Sequence, residues 1–544
     1  MLIIIVYMVG AFVDVMDVDS GQYASMAREM IASGNWLHFT DRGIPYLDKP
    51  PFIFWISGLS YVLLGISNFS FKLPAILCSI AGIYATYRFA NIYFNRHTGL
   101  LAAIILASSQ AYFHFNNDVR TDVYLTNFII LGMWQMAEFL HNHKRFAWIF
   151  AFIFFGLSLL AKGPLGLMLP ALAYGVTWLI TANWKNIFRW QWLAGIVIVL
   201  LVISPMLWGL YTQFDLQPEL EVNGKTNTSG LRFFFWEQSF GRLTGENVWK
   251  NDTSPFFFVH NLLWSFLPWT VFLVIALVSA FTEILRKRKS ASREYEGLMI
   301  CMTGSLLTFI ALSASAYKLP HYIYVIFPLL AVITADWISK WMVAKQNIQF
   351  FKGFNWFFLG LALLLVLLIS LWVFQNNRSW TLVLSLAIFA LAIVKSIHIG
   401  KDSANLISGL TLSIIAFNLC MNLHFYPSLL AYQAPGRIAR LINEEGINPN
   451  QVYNYKVGGR SLDLYTRSIV KDFQYADFSD ASKQFYLHCD QEGLQELKKI
   501  GYQTDILCAF ENIAVTMLNI KFINPSTRKD AVNIRYLVKI RPNT

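Results

Sequence analysis

Long apolar runs separated by short polar loops make up most of this chain, and a more polar, charge-rich segment closes it. A run of about 18 or more apolar residues is what a helix needs to cross roughly 30 Å of hydrocarbon. That pattern predicts about thirteen spans, at 1–16, 71–94, 97–115, 123–140, 146–161, 164–181, 193–211, 256–281, 297–315, 321–343, 354–374, 379–397 and 403–423. The run 52–67 is short and follows Pro50-Pro51, so it reads as a helix lying at the interface. Beyond 424 the periodicity changes. The stretch 436–445 reads as an amphipathic helix stopped by Gly446, and 494–500 as another helix. Strand-like alternation appears at 451–456 and within 484–488 and 514–520.

Charge supports this reading of 52–67. If that run is not a span, Arg88, Arg96, Lys144, Arg145, Lys185, Arg189, the basic run 286–289, Lys340, Lys345, Lys352, Lys395 and Lys401 all face the cytoplasm. That is the side where basic loops belong. The acidic first loop 14–70, the loop 117–122, Lys162-Gly163-Pro164, the long loop 212–255 and the segment 317–322 then share the outer face. The odd span count places 424–544 outside as well, as a small α/β domain. The domains expected are therefore 1–423 in the membrane and 424–544 outside it.

Composition agrees. The chain has 544 residues, 56% hydrophobic and only 14% charged, against about 25% charged in soluble domains. The fold class is mainly α: a polytopic helical membrane protein with a small C-terminal α/β domain on the outer side. The net charge of +11 is concentrated in short loops and does not point to nucleic acid. The opening stretch lacks the basic region and small-residue cleavage site of a signal peptide. It is short for a span, so the first helix borrows residues 14–16 or the true start lies upstream. Cys78, Cys301 and Cys420 lie in apolar runs and read as packing residues; Cys489 and Cys508 lie in the tail, where an exterior location would permit a disulfide. Dinucleotide, P-loop and HExxH patterns are absent.

Carboxylates beside a membrane span mark a functional site. Asp19 precedes a surface helix expected over 21–32, with Tyr23 four residues on. An N-cap role competes with a catalytic one there, and Asp14 and Asp17 read as ordinary interfacial acids. Asp48 and Lys49 are held by the double proline, and a lysine suits a phosphate leaving group; the alternative is a snorkelling side chain. Arg120 and Asp122 open a helix, where an ion pair capping its start is the plain alternative. Lys162 sits where Gly163-Pro164 breaks a helix, and interfacial anchoring competes with anion binding. In 233–242, Glu237 and Arg242 lie among aromatics, as in a helix lying on the membrane. Lys318, His321 and Tyr322 open a span, where a lone histidine reads as a headgroup contact.

Together these elements resemble the GT-C glycosyltransferases. More narrowly, they resemble the bacterial branch containing lipid A aminoarabinose transferase and relatives of protein O-mannosyltransferases. The resemblance runs in order through Asp19-Ser-Gly-Gln-Tyr23, the stretch 27–36, Pro45-Tyr46-Leu-Asp48-Lys49-Pro50-Pro51, Arg120-Thr-Asp122, the stretch 161–166, Phe235-Trp236 to Arg242, Leu267-Pro268-Trp269-Thr270 and Lys318-Leu-Pro320-His-Tyr322. It departs at Ser20, where the family often has Glu; at Gln22, where the branch has Arg; at Asp48, where the branch has Glu; and at Gln238 or Ser239, where the branch has His.

The resemblance implies a sugar donor on polyprenyl phosphate, taken as undecaprenyl phosphate in a bacterial inner membrane, and a lipid, glycan or protein acceptor outside. It makes Asp19 and Asp122 the candidate catalytic carboxylates. Tyr23, Asp48, Lys49, Lys162, Arg242, Lys318 and Tyr322 become candidate ligands of the donor phosphate or substrate. No cofactor follows from the residues, no metal ligands are assigned, and a divalent metal stays open. The rival readings are a polytopic lipid or solute transporter and a non-catalytic membrane subunit.

Overall fold

The computed structural model describes residues 1–238, 241, 253–286, 292–344, 346–375, 379–400, 402–474 and 485–541. Among these, eight helices are long and apolar enough to cross a membrane: Asn68–Tyr93, Thr121–His141, Trp184–Asp215, Arg293–Ser313, Pro320–Ala344, Ile348–Val373, Ser379–Ile397 and Ala404–Leu430. Two bent pairs raise the number to ten if each is one span. Phe52–Leu64, Ala147–Lys162 and Leu165–Ile180 are shorter apolar helices.

Several spans read from the sequence differ in detail. The run 256–281 is two helices, Phe257–Ser265 and Thr270–Arg286, meeting at 119°. Pro268 stands at the corner and cannot continue a helical hydrogen-bond ladder. The run 97–115 bends by 53° between Arg96–Ser108 and Gln110–Asn117. The first helix covers only Leu2–Gly10, and the Lys72 ammonium donates to the carbonyls of Gly10 at 3.2 Å and Val13 at 2.9 Å just past its end. Ala404–Leu430 continues beyond residue 423, so the change of character comes later than composition indicates.

The first loop folds as a helix, Asp19–Ser33, then a two-stranded hairpin of β1 (Thr40–Asp41) and β2 (Ile44–Pro45), then the helix Phe52–Leu64. Asp19–Ser33 is not the surface helix expected. Most of it is buried, because Phe52–Leu64 covers one side and the helix Arg460–Thr466 of the C-terminal region covers another. It stops at Gly34, whose φ of 69° is left-handed, a conformation glycine adopts without steric penalty.

The C-terminal sheet has the order β3-β4-β6-β5, with β3 (Val452–Tyr455) parallel to β4 (Phe485–Asp490) and the other pairs, through β5 (Gln503–Asn512) and β6 (Asn533–Arg541), antiparallel. The helices Ala434–Glu444 and Gln491–Ile500 match the two expected. The strand expected within 514–520 does not form; Val515 there and Phe522 just beyond pack into the membrane-helix core instead. A Cys489–Cys508 disulfide is excluded by topology. Cys489 lies on β4 and Cys508 on β5, with β6 between them. Two strand spacings are about 9.5 Å, beyond the roughly 7 Å limit for a disulfide, and both thiols are free.

Candidate functional site

The site is built where the first loop meets the start of Thr121–His141. Asp19 opens its helix but does not cap it: the N-cap position is Val18, with no side-chain cap. Its carboxylate is instead ion-paired with Arg120, and a third of the Asp19 side chain stays exposed (34%). Arg120 Nε donates to Asp118 Oδ2 at 2.8 Å, so one guanidinium joins two carboxylates. Ser20 donates through its hydroxyl to Asp118 Oδ1 at 2.6 Å and to the Val119 carbonyl at 2.9 Å. The serine at the departing position thus ties the first loop to the second. Burial alone would raise the Asp118 carboxyl; the Arg120 charge and the hydrogen bonds from Ser20 and Arg120 together hold it below the ordinary carboxylate range.

The second part lies one helical turn further on. Asp122 is in the first turn of Thr121–His141, where the helix dipole favours an anion. It is buried and ion-paired with Lys162, and His321 Nε2 lies 3.6 Å from its other oxygen. Lys162 is the last residue of its helix. The next residue, Gly163, has φ 108° and ψ −160°, a backbone open to glycine alone, and the chain turns there into Pro164 and a new helix. The Lys162 ammonium stands 3.9 Å from the centre of the Tyr322 ring, a cation–π contact. Asn261 donates to the carbonyl of Pro320 and so fixes the turn that presents His321 and Tyr322. Lys318, two residues before Pro320, is buried.

Two phenols link the parts. Tyr23 is buried against Phe54, with ring centroids 6.0 Å apart. Burial, then Tyr46 and Asp19, push its hydroxyl well above the usual tyrosine range. Burial does the same to Tyr46, helped by Asp48, Asp19 and Asp41. Both hydroxyls therefore remain protonated. Glu29 braces the hairpin beneath Tyr46, accepting from the backbone N–H groups of Arg42 at 3.1 Å and Gly43 at 3.3 Å.

The long loop closes over the first. Its described part is anchored by Asp215, which accepts from the N–H groups of Gly230 at 3.0 Å and Leu231 at 3.3 Å. Gln238 donates to the Asp48 carbonyl, and Asn223 donates to the Asp48 carboxylate at 3.1 Å. Lys49 lines a small cavity with Pro50, Pro51, Phe233, Phe234 and Gln238.

Of the residues expected from the sequence, Asp19 pairs with Arg120, Asp122, Lys162 and Tyr322 form a second set two residues further along the chain, and Tyr23 lies within reach of the charges of Asp19, Arg120 and Asp122. Asp48 and Lys49 form the adjoining wall, and Lys318 lies in the segment beside Tyr322. Arg242 lies outside the described residues. Arg120 joins Asp19 to Asp118 although the sequence weighs it only as a capping ion pair; Asp118, in the loop 117–122, and Tyr46, in the first-loop motif, carry no role in the sequence reading. No three His, Cys, Asp or Glu side chains among the described residues stand close enough to hold a metal ion.

Known proteins share this architecture. The family model described as dolichyl-phosphate-mannose-protein mannosyltransferase matches residues 48–208. An uncharacterised protein of Aquifex aeolicus is 28% identical over 351 residues, 64% of this chain and 63% of its own. The undecaprenyl phosphate-alpha-4-amino-4-deoxy-L-arabinose arabinosyl transferase 2 of Proteus mirabilis is 25% identical over 363 residues, 64% of this chain and 60% of its own. The chain thus spans rather less than two thirds of the length of these relatives. The crystal structure of ArnT from Cupriavidus metallidurans bound to undecaprenyl phosphate superposes with a TM-score of 0.75 at 18% identity, covering 99% of this chain and 96% of that one. The chain therefore has the GT-C fold of ArnT, as its motifs imply.

Proposed function

We propose that this chain, a membrane protein of the GT-C fold, is a glycosyltransferase that moves a sugar from a polyprenyl phosphate to an acceptor at the outer face of a bacterial inner membrane. The observation behind this reading is the meeting of Asp19 with Arg120, and of Asp122 with Lys162 and His321, from four separate stretches of sequence. Family and fold similarity support the lipid carrier, since the relatives' names and the ArnT complex specify undecaprenyl phosphate.

The chemistry follows from the charges. The acceptor oxygen bonds to the anomeric carbon while the carbon–oxygen bond to phosphate breaks, and that electron pair leaves with the lipid phosphate. Negative charge grows on the phosphate, so cations already in place stabilise the transition state more than the ground state. Lys162 is held by Asp122 and the Tyr322 ring before any substrate arrives, which keeps reorganisation small. In this reading Asp122 is a positioning residue for Lys162 and His321. Asp19, partly exposed at the rim, takes the proton of a hydroxyl acceptor as general base. For an anionic phosphate acceptor it orients the acceptor and steadies positive charge on the sugar ring. Attack opposite the departing phosphate makes the reaction a single inverting displacement.

The test is donor consumption. Purified full-length protein in lipid nanodiscs is incubated with undecaprenyl-phosphate-linked sugars and with lipid A or peptide acceptors. The expected result is release of undecaprenyl phosphate with the sugar found on an acceptor. Intact donor across a panel of pentosyl and hexosyl lipids would count against the reading and favour a non-catalytic subunit.

A further inference from the structure

The C-terminal domain grips the first loop through directional polar contacts, and these fall on the helix and hairpin around Asp19. Asp17, two residues before Asp19, receives the backbone N–H of Ser461 on Oδ1 at 2.8 Å and the Ser461 hydroxyl on Oδ2 at 2.7 Å. Its own N–H donates to Gln433 at 2.9 Å, and Gln433 donates in turn to the Val15 carbonyl at 3.0 Å. On the hairpin, Asp41 accepts from Arg460 Nη2 and from Gln22 of the Asp19 helix, each at 2.7 Å. Along the same helix, Ser25 donates to the Arg460 carbonyl at 3.0 Å and Arg28 to the Arg467 carbonyl at 3.1 Å. Arg42 pairs with the buried Asp463 at 3.1 Å.

The approach is close. A Cβ on Gly21 would lie 3.3 Å from Arg460 Cβ, tighter than most side-chain contacts, and 2.5 Å from Asp17 Oδ1, nearer than real side chains come. Hydrogen bonds to ions are directional and stronger than neutral ones. These contacts link residues 15–42 to residues 433–467, so the helix Asp19–Ser33 takes its attitude from a domain more than four hundred residues away in sequence.

We propose that the helix Arg460–Thr466 is a clamp that sets the position of Asp19. Ser461 and Arg460 are its positioning residues, and Asp17 and Asp41 are the points they hold. The proposal rests on the reading above in which Asp19 meets the acceptor. It gives the C-terminal domain a role in the reaction although it supplies no reacting group. Removing the clamp lowers the rate at which bound donor reacts and leaves donor binding alone, because Lys162 and Tyr322 are held from other helices.

Ser461→Ala, Ser461→Thr and the double variant Ser461→Ala/Arg460→Gln test it in the full-length protein. Hydrogen exchange is measured on peptides covering 19–33, with 121–141 as the folding control. Binding of undecaprenyl phosphate is measured alongside, and kcat and KM with an undecaprenyl-phosphate-linked sugar. A hydrogen bond to an ion is worth about tenfold in an equilibrium. Ser461→Ala is therefore expected to speed exchange in 19–33 by about tenfold and lower kcat by about tenfold, with KM and undecaprenyl phosphate affinity within twofold. Ser461→Thr, which keeps the hydroxyl, restores both. Unchanged exchange in 19–33 in the double variant overturns the clamp. So does faster exchange with unchanged kcat. If the wild-type protein consumes no polyprenyl-linked donor, the functional reading falls by itself, and the exchange comparison alone decides the clamp.

Discussion

Asp19 is ion-paired with Arg120, which lies 101 residues further along the chain and also holds Asp118. This one guanidinium keeps the carboxylate oriented and exposed at the rim, and it joins the first loop to the start of the helix that carries Asp122. The fork shape matters here, because a guanidinium presents its donors in a rigid plane whereas an ammonium is a point charge on a flexible stem. Arg120→Lys is expected to lower kcat by about a hundredfold while keeping the charge, and Arg120→Ala to do at least as much. Steady-state kinetics with a polyprenyl-linked donor check this; a lysine variant with wild-type kcat would mean that charge alone suffices.

In the proposed reaction Lys162, held by Asp122 and the Tyr322 ring, meets the departing phosphate. Lys162→Met is expected to weaken undecaprenyl phosphate binding by tenfold or more, in line with about 1.5–3 kcal/mol for a charged hydrogen bond. Tyr322→Phe keeps the ring and should cost little. Tyr322→Leu removes it and should cost about 0.5–2 kcal/mol of the same binding. Titration of the lipid phosphate into each variant gives the order.

Gly163 holds the turn that ends the helix of Lys162 at φ 108°. Gly163→Ala forces a Cβ into a backbone conformation that costs of order 1–3 kcal/mol. The expected result is a lower melting temperature together with weaker undecaprenyl phosphate binding, since Lys162 moves with the turn. Gly175→Ala, where an added Cβ meets nothing within 4 Å, is the control.

The clamp has a pH signature. Burial pushes both Asp17 and Asp463 up to about 6, against the hydrogen bonds and arginines that favour their ionised forms. A carboxyl with a raised folded-state value binds its proton more tightly folded than unfolded. Its contribution to stability is therefore full below about pH 4 and is lost as pH rises through about 6. Asp17→Asn and Asp463→Asn should each flatten the dependence of melting temperature on pH between 4 and 7. A wild-type minus variant difference that stays constant across that window contradicts the assignment.

The sequence made the membrane class legible, because long hydrophobic runs follow from lipid physics alone, and the family resemblance of its motifs pointed to the fold. The helix of Asp19 was legible at 21–32 but its burial was not, and the hairpin of 40–45 gave no alternating pattern long enough to read. Arg120 as hub was not legible: an arginine beside an aspartate at a helix start fits a local cap equally well, and only the fold brings Asp19 beside it. Asp17 was misread as an ordinary interfacial acid for the same reason, since Ser461 lies 444 positions away. The break at Pro268 was visible as a proline, but its sharp angle depends on what the two helices pack against.

The most direct measurement is turnover of an undecaprenyl-phosphate-linked sugar by the wild-type protein and by Asp19→Asn, with undecaprenyl phosphate binding followed in both. The account predicts that the asparagine variant binds the lipid phosphate within threefold of wild type and loses turnover by about 10²–10⁴, the usual range for a general base. An asparagine variant that transfers sugar at the wild-type rate would contradict it.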